Sequence, residues 1–185
     1  MDPQDVLADA CVVINLAASQ IWDEVAEANG YRFVLSRKVT EESQYYYSVR
    51  PSGLERVKID MQDLEARGRI KIEDPLPEEL GSFVEYAQHL DDGEAETLAI
   101  SVHRSIELAT DDLGAIRFVD EQQLPVKLVR TSSMVYTWAS RVNPNQSLLT
   151  EVLLRVSQGA RFIPPKTAPH ADWWVRNMSG EGPTA

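Results

Sequence analysis

Two apolar runs in this chain end in acids, and that pairing narrows the folds open to it. Ile106-Glu-Leu-Ala-Thr110 reads as a short strand that runs straight into Asp111-Asp112. Val6-Leu-Ala-Asp9 is a second apolar run closing on a carboxylate, and the apolar stretch Cys11-Val-Val-Ile-Asn-Leu16 follows it. Adjacent carboxylates repel, so a fold that gathers them at strand ends needs a cation or a helix N-terminus to offset them. In open α/β sheets the carboxyl ends of strands are also where ligands collect. The pattern predicts a carboxylate cluster that binds a divalent metal.

Between these two runs, strands and helices alternate. Val6–Asp9 is read as a strand with a helix through Ala18. Ser19 is placed as the cap of a helix over Gln20–Asn29, with Gly30 as its stop. Tyr31–Leu35 reads as a strand, and Ser36 opens a polar and aromatic helix toward Ser48, halted before Pro51. Asp60–Arg67 reads as helix, Arg69–Glu73 as strand, Glu78–Leu90 and Glu94–Arg104 as helices. After the strand at Ile106–Thr110 come a helix over Leu113–Gln122 and a strand over Leu124–Val129. Two helices close the series, near Ser133–Arg141 and Gln146–Gly159. Strands separated by helices imply an α/β fold with a helix-flanked, mostly parallel sheet. Residues 1–162 are assigned to one domain. Residues 163–185 read as a Pro- and Gly-rich tail, loosely ordered, in which Trp173-Trp174 is available to dock.

Charge and cysteine usage bound the function. A net charge of −11 argues against a protein that grips nucleic acid through a wide basic face. It leaves room for an enzyme whose negative pocket is neutralised by metal, or for a complex with a basic partner. A single cysteine, Cys11, excludes an internal disulfide and fits a reducing cytoplasm. No apolar run is long enough to span a bilayer, and the N-terminus lacks a signal-peptide pattern, so no membrane role is expected. His89, His103 and His170 show no zinc-ligand spacing.

Four segments in order, Asp9-Ala-Cys-Val-Val-Ile-Asn-Leu16, Val39-Thr-Glu-Glu42, Gly93-Glu-Ala-Glu-Thr-Leu-Ala99 and Ala109-Thr-Asp-Asp112, resemble the PIN-domain ribonucleases. The Gly-Glu-Ala-Glu form and the Leu124-Pro-Val126 strand look like a bacterial branch close to the VapC-type toxins. The resemblance runs from about Val6 to Ser140. It implies a three-layer sandwich, strand-end acids binding Mg²⁺ or Mn²⁺, cleavage of RNA phosphodiesters, homodimerisation and an antitoxin partner. The family often carries a small hydroxyl or amide residue where Ala10 and Cys11 stand, and the segment between Arg50 and Leu90 is long for its smallest members.

The candidate residues divide as follows. Asp9 is a metal ligand or the cap of the following helix; with Asp111-Asp112 present, ligation is preferred. Asp112 takes the family's usual metal position, and Asp111 is a second ligand or a helix cap. Between Glu94 and Glu96, helical geometry favours Glu96. At about 100° per residue it falls within the apolar arc of Ala95, Leu98, Ala99, Ile100 and Val102, whereas Glu94 lies beside Thr97 and Ser101. Both are retained as ligands. Glu42 matches the family's Val-x-x-Glu spacing from Val39, and Glu41 reads as solvated. Asn15, Ser19 and Thr131-Ser132-Ser133 are candidates to support the metal with hydrogen bonds.

Arg37, Lys38, Tyr45 and Arg50 are the best candidates to touch RNA, since aromatics stack on unpaired bases and cations meet phosphates. A partly buried aromatic helix face explains the same residues. The reading is a metal-dependent ribonuclease with Asp9, Glu42, Glu96 and Asp112 as its catalytic carboxylates. A PIN-like protein-interaction module without catalysis and a DNA-directed phosphodiesterase are the alternatives.

Overall fold

The computed structural model describes residues 2–180. The chain begins with β1 (Gln4–Ala8), α1 (Ala10–Ser19), α2 (Trp22–Asn29), β2 (Tyr31–Ser36) and α3 (Arg37–Glu42). A hairpin of β3 (Tyr45–Arg50) and β4 (Gly53–Lys58) follows, then α4 (Met61–Ala66), β5 (Ile70–Glu73), α5 (Leu80–Tyr86) and α6 (Asp92–Arg104). The last elements are β6 (Glu107–Ala109), α7 (Leu113–Glu121), β7 (Leu128–Val129), α8 (Thr131–Val142), α9 (Gln146–Gly159) and α10 (Ala171–Met178).

Five strands form one parallel sheet in the order β5-β2-β1-β6-β7. Alternation along each strand feeds two cores. Val6, Ala8, Phe33 and Leu35 face one layer, packed with α1, α2, α8, α9 and α10 through Leu16, Val25, Trp138, Val152 and Trp174. Leu7, Val34 and Leu108 face the other, packed with α5, α6 and α7 through Tyr86, Leu98 and Phe118. The expected helix-flanked parallel sheet is therefore the architecture, with helices on both faces. Among the described residues no helix is long and apolar enough to cross a membrane.

The strand order fixes where the chemistry sits. From β1 the chain moves outward to β2 and β5, then returns to the opposite side of β1 to lay down β6 and β7. The order therefore reverses between β1 and β6, whose ends are aligned at Ala8 and Ala109. A crevice opens at the carboxyl ends of strands where the order reverses in this way. Asp9 and Asp112 follow those two strands.

Three local expectations are corrected. The helix predicted from Ser36 toward Ser48 stops at Glu42, and Tyr45–Arg50 is a strand paired antiparallel with Gly53–Lys58. Aromatic and β-branched residues at Tyr45, Tyr46, Tyr47 and Val49 suit a pleated, half-buried surface, and Pro51-Ser52 makes a two-residue turn between Arg50 and Gly53. The hairpin crosses the end of α9 so closely that a side chain at Gly159 would collide with the Tyr47 carbonyl. The segment after Phe162, expected to be loosely ordered, carries α10 with Trp174 fully buried against Phe162. Residues 181–185 of that tail lie outside the described residues. Ser19 does not cap α2; its hydroxyl donates to the Leu16 carbonyl at the end of α1 and accepts from the Ile21 N–H.

Candidate functional site

Asp9 follows β1 directly and caps α1, its Oδ1 accepting from the Ala10 N–H at 2.6 Å. Its Oδ2 accepts two further donors, the Thr110 hydroxyl at 2.9 Å and the Cys11 thiol at 3.2 Å. Burial nevertheless raises the Asp9 carboxyl above its ordinary value: the cost of losing water outweighs the three hydrogen bonds, and Asp112 adds repulsion. Burial also pushes the Cys11 thiol well up, with Asp9 and Asp111 opposing its ionisation, so it stays a protonated donor. Cys11 thus occupies the supporting place that a hydroxyl or amide residue was expected to fill.

Asp112 caps α7, its Oδ1 accepting from the Ala115 N–H at 2.8 Å. The Thr110 hydroxyl accepts from the Asp112 N–H at 3.1 Å while donating to Asp9, so one side chain ties the two acids together. Glu42, at the end of α3, lies across the first turn of α6, where a side chain at Gly93 would collide with its carboxylate. Gly93 is the residue that lets the two helices approach there. Burial raises the Glu42 carboxyl; Lys38 opposes the shift, and Asp9, Asp91 and Asp92 add to it.

Asp9, Glu42, Glu94 and Asp112 line a single cleft of about 590 Å³, together with Cys11, Lys38, Asp91 and Asp92. Glu94 is the most perturbed of the four. Burial, with Asp112 and Asp9 nearby, pushes its carboxyl up to about 7. Lys38 is the single cation on the lining, and its Nζ stands 3.7 Å from Asp92. The cleft is an excess of negative charge with little built in to offset it.

The preference for Glu96 is corrected here: Glu94 lines the cleft and Glu96 does not. Thr97 and Ser101, taken from the sequence as marking the solvent side of α6, are fully buried. Their hydroxyls donate to the carbonyls of Gly93 and Ile106, at 2.7 and 2.6 Å, and so enter the core without a polar cost. The buried surface of α6 therefore extends from the expected arc of Ala95, Leu98, Ala99 and Ile100 round to Thr97 and Ser101, and Glu94 lines the cleft.

Asp111 is also reassigned. Its carboxylate is turned away from the cleft into a buried network, accepting from Arg130 Nε at 3.0 Å and Asn15 Nδ2 at 3.1 Å. The Thr131 N–H adds a longer bond, and Thr131 Oγ1 accepts from Asn15 Nδ2. Asn15 and Thr131 thus support the loop behind the site through Asp111, while Ser19 lies elsewhere. Arg130 was missed in the sequence, where nothing marks a lone arginine after a strand as the partner of an acid 19 residues earlier.

Of the residues expected to meet RNA, only Lys38 lines the cleft. Arg37 is engaged with Asp74 through two bonds of 3.0 Å, and Arg50 with Glu55 at 3.1 Å within the hairpin. Tyr45 is covered by the Arg56 guanidinium, 3.8 Å from the ring centroid. The structure does not assemble the four into one basic strip. Glu41 is exposed, as expected.

The donor set of the cleft is carboxylate oxygen, which suits a hard divalent cation such as Mg²⁺ or Mn²⁺. Among the described residues no three His, Cys, Asp or Glu side chains form a ready-made metal cage. Mg²⁺ does not require one, since it keeps several waters and binds through one or two carboxylates. Burial is the main reason the Asp9, Glu42 and Glu94 carboxyls are raised, and a cation among them would offset the repulsion that neighbouring acids add.

Comparison with protein-family models, with curated proteins and with solved structures returns no match.

Proposed function

We propose that this chain is a divalent-metal-dependent ribonuclease that hydrolyses RNA phosphodiesters, as the resemblance to PIN-domain ribonucleases implies. The observation that carries the reading is the convergence of Asp9, Glu42, Glu94 and Asp112 on one cleft where the strand order reverses. One or two of Asp9, Asp112 and Glu94 would hold Mg²⁺ or Mn²⁺ directly and the rest through water, with Glu42 on the same lining from α3. Such an ion lowers the pKa of a bound water and offsets charge that builds on the phosphate. The remaining work falls to the chain. Thr110 and Cys11 fix the Asp9 carboxylate, and the N-terminus of α7 fixes Asp112. The Asp111–Arg130–Asn15 network holds the loop that carries Asp112. Lys38, on the cleft lining, would meet a substrate phosphate.

The rest of the reading follows the resemblance: the nuclease is the toxin of a toxin–antitoxin pair, acts in the cytoplasm and forms a homodimer. The acidic surface, at −11 overall, favours a basic antitoxin segment. A second reading is a protein-interaction module of the same fold without catalysis, with which the lack of a preformed three-ligand cage among the described residues is consistent. Incubating the protein with single-stranded RNA, with and without Mn²⁺, decides between them. Cleavage that requires Mn²⁺ and disappears in Asp9→Asn supports the nuclease. Intact RNA under every metal condition supports the module.

A further inference from the structure

The acidic cleft does not end at Glu94 and Asp112. Both residues also line an adjoining hollow of about 440 Å³, whose lining includes His89 and Gly114, the latter at the start of α7. His89 lies in the turn after α5, and its ring is stacked on Phe118 of α7, with centroids 5.4 Å apart and 29° between the planes. Phe118 is itself buried and braced edge-on by Tyr86, whose ring centroid is 5.5 Å away. His89 is exposed. The imidazole therefore rests against a buried aromatic ring, while the residue stays exposed and lines the same hollow as the Glu94 and Asp112 carboxylates.

We infer that His89 is a stacking platform for an unpaired base next to the phosphate held in the cleft. The inference rests on the ribonuclease reading and names its substrate class, single-stranded RNA. A flat ring braced from behind loses little freedom when a base covers its open face. Base–aromatic stacking needs an unstacked base, which a duplex does not offer. The platform also resolves a difficulty of charge. With Arg37 and Arg50 engaged by acids, the cleft has little cationic attraction for the backbone, so contact with the base supplies affinity that electrostatics does not. Lys38 on the α3 side and His89 on the α5 side then bracket the carboxylates.

The test compares His89→Ala and His89→Phe with wild type, each checked for an unchanged melting profile. Binding of fluorescently labelled oligoadenylate is read by anisotropy, with an abasic ribose-phosphate oligomer of the same length as the second probe. His89→Ala should weaken oligoadenylate binding about tenfold and raise KM for its cleavage with little change in kcat. His89→Phe should remain close to wild type. The abasic oligomer should bind all three proteins alike. Equal loss for both probes in His89→Ala would overturn the platform in favour of a phosphate contact, and no loss for either would overturn it outright. If wild type binds oligoadenylate in this His89-dependent way but cleaves nothing, the nuclease reading fails while the platform stands.

Discussion

Thr110 donates its hydroxyl hydrogen to Asp9 Oδ2 at 2.9 Å and accepts from the Asp112 N–H at 3.1 Å, so it joins the ends of β1 and β6 through their acids. Thr110→Val keeps the shape and removes both bonds, leaving a buried carboxylate oxygen and a backbone donor poorly satisfied. The expected cost is about 1–3 kcal/mol in urea unfolding, together with weaker Mn²⁺ binding. Thr110→Ser should recover most of both. A Thr110→Val protein as stable and as metal-avid as wild type would remove Thr110 from the account.

Asp9 and Asp112 were legible in the sequence because each ends an apolar strand, and strand ends are set by short-range pattern. The choice between Glu94 and Glu96 was not legible, because it turns on which side of α6 meets the sheet. Thr97 and Ser101 enter the core beside the expected apolar arc, which their hydroxyls allow by bonding to nearby carbonyls. Helical spacing alone cannot reveal a buried threonine. The hairpin was hidden for a similar reason: Tyr45–Tyr47 fits an aromatic helix face and a strand equally until Gly53–Lys58 is available to pair with it. Arg130 depends on a contact across the fold that local pattern does not reveal, and of α10 the sequence showed only Trp173-Trp174 as a pair able to dock.

The reassignment on α6 can be checked by substitution. Glu94→Gln should lower Mn²⁺ affinity and cut RNA cleavage at least tenfold. Glu96→Gln, two residues on and outside the cleft, should leave both within about twofold. Calorimetric titration of Mn²⁺ into each variant gives the comparison, and the opposite ranking would restore Glu96 as the ligand.

The pH dependence of stability follows from the direction of the Glu94 shift. Its carboxyl is raised from an ordinary 4.5 to about 7 in the folded protein, so folding favours the neutral form. The stability it contributes is fully present below about pH 4.5 and is lost as pH rises through about 7. In metal-free buffer the Tm difference between Glu94→Gln and wild type should therefore widen in favour of the variant over that window. Millimolar Mn²⁺ should reverse the difference at pH 7.5 and have little effect at pH 5. A difference that does not vary with pH would show that folding does not favour the neutral Glu94 carboxyl.

Asp111 and Arg130 form a buried ion pair, with side chains 3% and 11% exposed. Arg130→Met leaves the Asp111 charge without its main partner and should destabilise the fold by about 3–5 kcal/mol. Adding Asp111→Asn should recover part of the loss, since Asn15 can still bond to the amide. Chemical denaturation measures both. Equal stability of Arg130→Met and wild type would dissociate this network from the loop that holds Asp112.

Four carboxylates on one cleft lining are the basis of the proposed metal-dependent ribonuclease. Its most direct test is cleavage of single-stranded RNA by wild type and Asp9→Asn, purified in parallel, across a Mn²⁺ titration. Asparagine still caps α1, so the variant should keep its fold. The account predicts cleavage by wild type that rises with Mn²⁺, is abolished by chelation and falls by at least two orders of magnitude in Asp9→Asn. Equal cleavage by the two proteins, or none by wild type at any Mn²⁺ concentration, would contradict it.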